Sequence, residues 1–362
     1  MEKIMLYIVG GFFLLGIVDY IIGGRFNLYK GIENGIKSMG SLALSMIGIF
    51  SITPIISDII IKYILPIFKN SFINPSVIIS SFIAVDMGGY KITEAIANNH
   101  NMMYFSGILI ASMLGCTMSF TVPLALGIIN RNNIDIFCKG ILCGIIALPI
   151  GLFIGGVLLQ INLYNIIISI LPIIIISIII SIVLNKAPNA MISFFKYIAK
   201  IIVMIGVIGL GLQGFTSITG IEIVENLLPL EEILTIVGKI AIFLGGANVM
   251  LEVIGRVLKK EISMLGNVLH INSISVTSLI GSLASAVIIF TNFDELDDRG
   301  KLICSAFSVG GAYVFGGQLG YVSIEAKEVI LIYILVKLIS GIIGVIIAIK
   351  LNNKGLSHRN SN

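Results

Sequence analysis

The chain has 362 residues; 57% are hydrophobic, only 12% are charged, and the formal net charge is +4 with a mean hydropathy of +1.07. A soluble domain carries about 25% charged residues, so this composition, with its long apolar runs, excludes a soluble globular protein and requires an integral membrane protein. The small positive excess lies in loops and forms no Lys/Arg stripe interleaved with aromatics, which argues against nucleic-acid binding.

The first apolar run, about residues 4–22, is too long for a signal-peptide core, and Gly23-Gly24-Arg25 is no A-x-A cleavage site, so it reads as a retained span 1 with Asp19 near its end. Span 2 covers about residues 39–63. Residues 75–97 hold only about ten apolar positions before Asp86, too few to cross; they read as re-entrant hairpin 1. Span 3 (about 102–129) contains Ser119, Thr121 and a kinking Pro123. Spans 4 (137–159), 5 (163–184) and 6 (197–218) follow. Span 7 (233–253) is expected to break at Gly245-Gly246-Ala247-Asn248. The Ser-rich residues 272–291 read as hairpin 2. Span 8 (302–322) is interrupted at Gly310-Gly311 and Gly316-Gly317-Gln318, span 9 covers about 329–349, and the polar tail from Asn352 is expected to be disordered.

The fold class is therefore all-α and polytopic, with about nine spans and two re-entrant hairpins; the alternative is 10–11 full spans. Charge favours the former. With both hairpins entering and leaving on one side, Arg25, Lys30, Lys37, Arg131, Lys139, Lys186, Lys196, Lys200, Arg256, Lys259, Lys260, Arg299, Lys301, Lys350, Lys354 and Arg359 share one face. Lys3, Lys62, Lys69, Lys91 and Lys327 share the other, which also carries the acidic loop of Glu222, Glu225, Glu231 and Glu232. Positively charged loops stay cytoplasmic, so the N-terminus is expected outside and the C-terminus inside. The order span, span, hairpin, span, span then occurs twice, in residues 1–160 and 197–351, joined by a linker span and loop at 161–196 and followed by the tail 352–362. Hairpin 1 enters from outside and hairpin 2 from inside, and at an offset of about 198 residues Phe82-Ile83-Ala84 answers Leu283-Ala284 while Ser119-Phe120 answers Gly317-Gln318. Inverted repeats whose broken segments meet at the midplane are a mark of secondary transporters.

Within this frame Asp86 is the leading candidate site residue. An acid at membrane depth faces a cavity or a partner, and Gly88-Gly89 directly after it break a helix where backbone must line protein or a cavity. The plain alternative is a loop acid outside a span. Such a carboxylate attracts a small cation or pairs with a lysine; Lys337, in the middle of span 9, is the candidate ion-pair partner unless its stem snorkels. Asn248, Ser119, Thr121 and Gln318 offer neutral hydrogen-bond groups at helix breaks, or else hold helices together. Gly209-x-Gly211-x-x-Gly214 has a dinucleotide-fingerprint spacing but no preceding strand, and reads as close helix packing. Cys116, Cys138, Cys143 and Cys304 form no C-x-x-C pair, and His100, His270 and His358 are scattered, so no metal site and no cofactor are expected. Without a P-loop or a Ser/His/Asp arrangement, neither an enzyme nor a transport ATPase is expected.

The residues Asp86-Met87-Gly88-Gly89-Tyr90, Met39-Gly40-Ser41-Leu42-Ala43-Leu44-Ser45-Met46, Phe105-Ser106-Gly107-Ile108-Leu109 and Val122-Pro123-Leu124-Ala125-Leu126-Gly127-Ile128-Ile129 carry a resemblance, as do Asp298-Arg299-Gly300-Lys301, Ala306-Phe307 and Leu319-Gly320-Tyr321 in the second half. In them the chain resembles the bacterial ethanolamine-utilisation permease family over nearly its whole length. The resemblance implies a multi-pass protein of the cytoplasmic membrane that moves ethanolamine or a similar small amine, with the solute, the bilayer and a coupling proton as candidate partners; the small-residue spacing Gly151-x-x-x-Gly155 separately allows helix association, either internal or with a second copy. The resemblance also implies a site at Asp86, Gly88, Gly89, Tyr90, Ser119, Thr121, Asn248, Ser285 and Gln318. The chain is a divergent member. Where the family has A-N-N-I-P, it has Ala284-Ser285-Ala286-Val287-Ile288; where the family has G-D-H-L-G, it has Gly316-Gly317-Gln318-Leu319-Gly320; and Ala247-Asn248 stands in place of Tyr-Pro. The lost amides, acid and imidazole leave two other readings open: a transport-inactive membrane sensor or scaffold, and an uncoupled, channel-like facilitator for a different small polar solute.

Overall fold

A computed structural model describes residues 2–68, 74–97 and 99–359, and every regular element among them is helical. Lys69, used in the orientation argument, and residues 360–362 of the tail lie outside the described residues. The first half runs α1 (Glu2–Ile21), α2 (Tyr29–Ser51), α3 (Thr53–Ile59), α4 (Leu65–Phe68), α5 (Pro75–Ser80), α6 (Tyr90–Ile96), α7 (His100–Tyr104), α8 (Val122–Ile128) and α9 (Ile134–Leu158). The second half runs α10 (Leu163–Lys186), α11 (Pro188–Thr219), α12 (Leu230–Val257), α13 (Lys259–Leu269), α14 (Ser273–Gly281), α15 (Val287–Thr291), α16 (Asp298–Gly310), α17 (Gly317–Glu325) and α18 (Ile330–Arg359). Seven described segments are long and apolar enough to cross a bilayer: Ile4–Ile21, His100–Ile128, Arg131–Leu158, Leu163–Ile180, Ser193–Thr219, Leu230–Val257 and Lys327–Leu351.

The packing follows from small residues. Lipid is as apolar as leucine, so helices associate where glycines let backbones approach. A Cβ on Gly35 would meet the backbone of Gly245 at 2.5 Å, which draws α2 against α12, and one on Gly246 would meet Val9 O at 2.5 Å, which draws α12 against α1. Gly48 lies against Gly206 and Gly209 where α2 crosses α11. The close-packing reading of the glycine motif thus holds for Gly209; Gly211 and Gly214 face open space. In the other half α9, α16 and α18 form a second cluster, with Gly140 and Gly144 of α9 against Ser305, Ala306 and Val309 of α16. Gly151 and Gly155 of α9 pack on Ser340 and Val336 of α18, so they serve internal packing. Asp19 closes α1 by accepting from the amides of Phe26, Leu28 and Tyr29 at 2.7–3.1 Å.

Several elements differ from the sequence reading. Helix α2 begins at Tyr29, ten residues earlier than expected, and its continuation is kinked at Ile52 before Pro54. Helix α12 is unbroken: Gly245 and Gly246 supply contact surfaces for α2 and α1 instead of a break. Span 8 is more broken than expected, as α16 and α17 are separated by residues 311–316. Span 3 is largely π-helical, over Phe105–Gly115 and Thr117–Thr121, and Pro123 opens α8 directly afterwards. The expected disordered tail is helical as far as Arg359.

Both short segments fold back on themselves. Ser80 Oγ and Thr93 Oγ1 lie 2.8 Å apart, joining α5 to α6. Asn292 donates to Ser278 Oγ at 3.1 Å, and Asn272 to Glu295 O at 2.9 Å, joining the two arms around α14 and α15. The base of this second hairpin is held by Asp297, which accepts from Asn272 N, Ser275 Oγ and Gly300 N.

Candidate functional site

The tips of the hairpins are built by matching contacts. At the first, Ser119 Oγ accepts from Ala84 N at 3.1 Å while donating to Gly115 O. Gly115 has no room for a Cβ against Ser80 O and Ile83 O. At the second, Tyr313 N and Phe315 N donate to Ser282 O and Leu283 O at 3.0 and 2.8 Å, and Gly316 lies against Ala284 O. Each tip is thus pinned to an irregular stretch of a neighbouring segment, the first through the Ser119 hydroxyl and the second through two backbone amides.

Asp86 leaves the first tip in a turn that needs both following glycines. Gly88 has φ +90°, in the left-handed region that favours glycine. A Cβ on Gly89 would sit 2.6 Å from Ile83 O and 2.7 Å from Ala84 O. Met87 N and Gly89 N both donate to Ala84 O at 3.0 Å, which fixes the turn that presents the carboxylate.

That carboxylate opens on a cavity of about 440 Å³. Asp86, Asn248, Ser285 and Gln318 come together in its wall, from hairpin 1, α12, hairpin 2 and α17. Asn34, Ser38, Cys116, Phe120 and Tyr313 join them. Residues from the stretches 247–248, 284–288 and 316–320 lie here: Asn248, Ala284, Ser285, Gly317 and Gln318 all line the cavity. Phe120 and Tyr313 meet edge to face at 6.0 Å.

The other candidates have supporting places. Ser119 holds the hairpin tip, Thr121 meets Cys116 Sγ at 3.6 Å, and Gly88 and Gly89 shape the turn. Lys337 neither snorkels nor pairs with Asp86. It is 1% exposed, and its ammonium donates to Ser112 O at 2.9 Å and Gln318 Oε1 at 3.0 Å.

Tyr90 belongs to a buried aromatic layer. Its ring meets Tyr321 at 6.2 Å, and Tyr321 meets Phe50 at 5.9 Å. A second cavity, about 720 Å³, lies beyond; Thr53, Asp58, Lys91, Glu94, Glu231, Glu232 and Glu325 are in its wall. The order along three elements places the layer between the two cavities. Phe50 stands between Met46 of the first and Thr53 of the second, Tyr90 between Asp86 and Glu94, and Tyr321 between Gln318 and Glu325. The layer is tied across by Lys91 to Glu325 at 2.6 Å.

A bundle of long apolar helices, with glycine-mediated crossings and buried polar groups gathered at broken segments, defines a multi-pass α-helical membrane protein. Comparison with known proteins gives the particular kind. The model of the family described as ethanolamine utilisation protein, EutH, matches residues 1–351, and the chain belongs to that family. It is 33% identical over 353 residues to the "Probable ethanolamine permease EutH" of Listeria monocytogenes, covering 98% of this chain and 95% of that relative. It is 34% identical over 338 residues to the "Uncharacterized protein YxeR" of Bacillus subtilis, covering 93% and 91%. With the "Probable ethanolamine permease EutH" of Escherichia coli it shares 29% identity over 390 residues, covering 97% and 95%. No solved structure matches it.

Proposed function

We propose that the chain is a membrane permease for ethanolamine or a similar small amine, and that the solute's ammonium group sits against Asp86 in the cavity of about 440 Å³. One observation carries this reading: among the described residues the carboxylate at the cavity wall makes no salt bridge, and the nearby buried lysine turns its ammonium to Ser112 O and Gln318 Oε1 instead. A membrane-embedded acid left without a cationic partner is a site for a mobile one. The aromatic rings of Phe120 and Tyr313 suit the same occupant, since ring faces attract cations. Asn34, Ser38, Asn248, Ser285 and Gln318 provide neutral partners for a hydroxyl. Relatives named as probable ethanolamine permeases support the solute class.

The mechanism we infer is alternating access rather than a continuous pore. The cavity and the acidic vestibule lie on opposite sides of the Phe50, Tyr90 and Tyr321 layer, which must separate for the solute to pass. A channel-like facilitator would need that path open. The architecture in the bilayer that we propose is nine spans with two re-entrant hairpins in an inverted repeat, the N-terminus outside. Its support is reciprocal packing: α1 lies on α12 as α11 lies on α2, α2 pairs with α12, α9 pairs with α18, and each hairpin tip is bonded to an irregular stretch of a neighbouring segment.

The test is equilibrium binding of labelled ethanolamine to the purified protein. At an effective dielectric of about 20, opposite charges about 4 Å apart attract by roughly 4 kcal/mol, part of which desolvation removes. Asp86→Asn is therefore expected to weaken binding about a hundredfold. Equal binding by both proteins overturns the assignment. Binding without flux would point to the sensor.

A further inference from the structure

Resting on that reading, one feature of the site fixes more than the cationic end. Lys337 lies in the third turn of α18, fully enclosed, and an ammonium has three donors and no acceptor. Its two partners are therefore oxygens: Ser112 O, in the π-helical part of span 3, and Gln318 Oε1, in the first turn of α17. A carboxamide can present either face. Beside a donor-only neighbour it must turn its carbonyl toward that neighbour, and its NH2 group the other way. Tyr333 Oη donates its single hydrogen to Tyr313 O at 3.1 Å and lies 3.4 Å from Gln318 Oε1, so the orientation of the amide rests on Lys337.

The consequence falls on Gln318 Nε2. It is buried, has only the weakly accepting thiol of Cys116 beside it and no oxygen acceptor, and belongs to a residue in the cavity wall that is only 2% exposed. Buried N–H donors are nearly always satisfied, and an exception calls for an explanation. A bound solute that brings an acceptor supplies one. Asp86, on the same cavity wall, accepts and does not donate when ionised, so the two residues divide the solute between them. One takes a cation and the other takes an oxygen lone pair.

We infer that Lys337 is a positioning residue that holds the amide of Gln318 with its N–H group available to the solute's oxygen, and that this pair makes the site prefer an amino alcohol to a plain amine of the same length. The chain thus uses a tethered cation, inside the protein, to set the polarity of a neutral side chain.

The test compares displacement of labelled ethanolamine by unlabelled ethanolamine and by ethylamine, which lacks the hydroxyl, on full-length purified protein. Wild type is expected to favour ethanolamine. In Gln318→Glu, which keeps the shape and gives Lys337 an ionic partner but removes the N–H donor, the preference should fall about tenfold, the worth of one good hydrogen bond. Lys337→Met should lower the same ratio by freeing the amide to turn, and Lys337→Arg should restore it, a rescue that a purely structural lysine would not show in a ratio. Should Lys337→Met fail to fold, Gln318→Glu still decides the matter. Amine binding with the ratio unchanged in Gln318→Glu overturns this inference and leaves the permease reading standing. A wild type that binds neither amine overturns both.

Discussion

Removing one ring from the aromatic layer should open a path between the two cavities. Phe50 is fully buried and meets Tyr321 at 5.9 Å. It stands on the α2–α3 segment between Met46, in the wall of one cavity, and Thr53, in the wall of the other. Seven residues at 1.5 Å each make the seal about 10 Å thick. Phe50→Ala removes most of its local width. If the hole persists, the cost is about 3–5 kcal/mol, plus roughly 0.5–1.5 kcal/mol for the lost ring pair; if water fills it, much of that cost is relieved and the seal leaks. Cys116, in the cavity wall, reports the difference. With Cys138 replaced by Ala, a membrane-impermeant cationic thiol reagent should at first exposure, before the layer cycles open, modify Cys116 faster in sealed vesicles of one orientation than in the other. In Phe50→Ala the two initial rates should become equal. Initial wild-type rates that are equal from both sides, or Phe50→Ala rates that stay unequal, would refute the assignment of the layer as a seal.

Three further outcomes follow from the geometry. Gly89→Val places side-chain atoms against Ile83 O and Ala84 O and should abolish ethanolamine binding by displacing Asp86, with thermal stability falling by roughly 1–3 kcal/mol as overpacking does; retained binding would mean that the turn does not present the acid. Asp297→Ala removes the acceptor shared by Asn272 N, Ser275 Oγ and Gly300 N, so proteolysis within residues 272–298 should accelerate, at a cost of about 1.5–3 kcal/mol for the lost hydrogen bonding to a charged group. Gly48→Leu should lower the melting temperature in detergent more than Gly211→Leu, because the first meets the backbone of Gly206 and the second meets open space.

Much of the site was legible because membrane burial makes polar residues conspicuous. Asp86, Asn248, Ser285 and Gln318 stood out against apolar runs and do share one cavity wall. Asn34 and Ser38 are inconspicuous in the sequence because they precede the apolar run of span 2, whereas α2 begins at Tyr29. Tyr313 reads as an ordinary apolar-run aromatic; only the six-residue break between α16 and α17 turns it into the cavity. Ser119 and Thr121 were polar for another reason, since they satisfy backbone and thiol groups at a hairpin tip. The glycine pair of span 7 shows the limit of sequence punctuation: glycine serves equally to break a helix and to let two helices touch, and Gly245-Gly246 does the second. Lys337 was visible as a buried cation, but its partners lie 225 and 19 residues away in sequence, and only the fold brings Ser112 and Gln318 to it.

The central claim is that Asp86 is the counter-ion for a transported ammonium. Its most direct test is uptake of labelled ethanolamine into proteoliposomes holding wild type or Asp86→Asn, with and without an imposed proton gradient. The account predicts saturable uptake by wild type and loss of at least nine-tenths of it in Asp86→Asn, whatever the gradient does to the wild-type rate. Uptake by Asp86→Asn at the wild-type rate would contradict it.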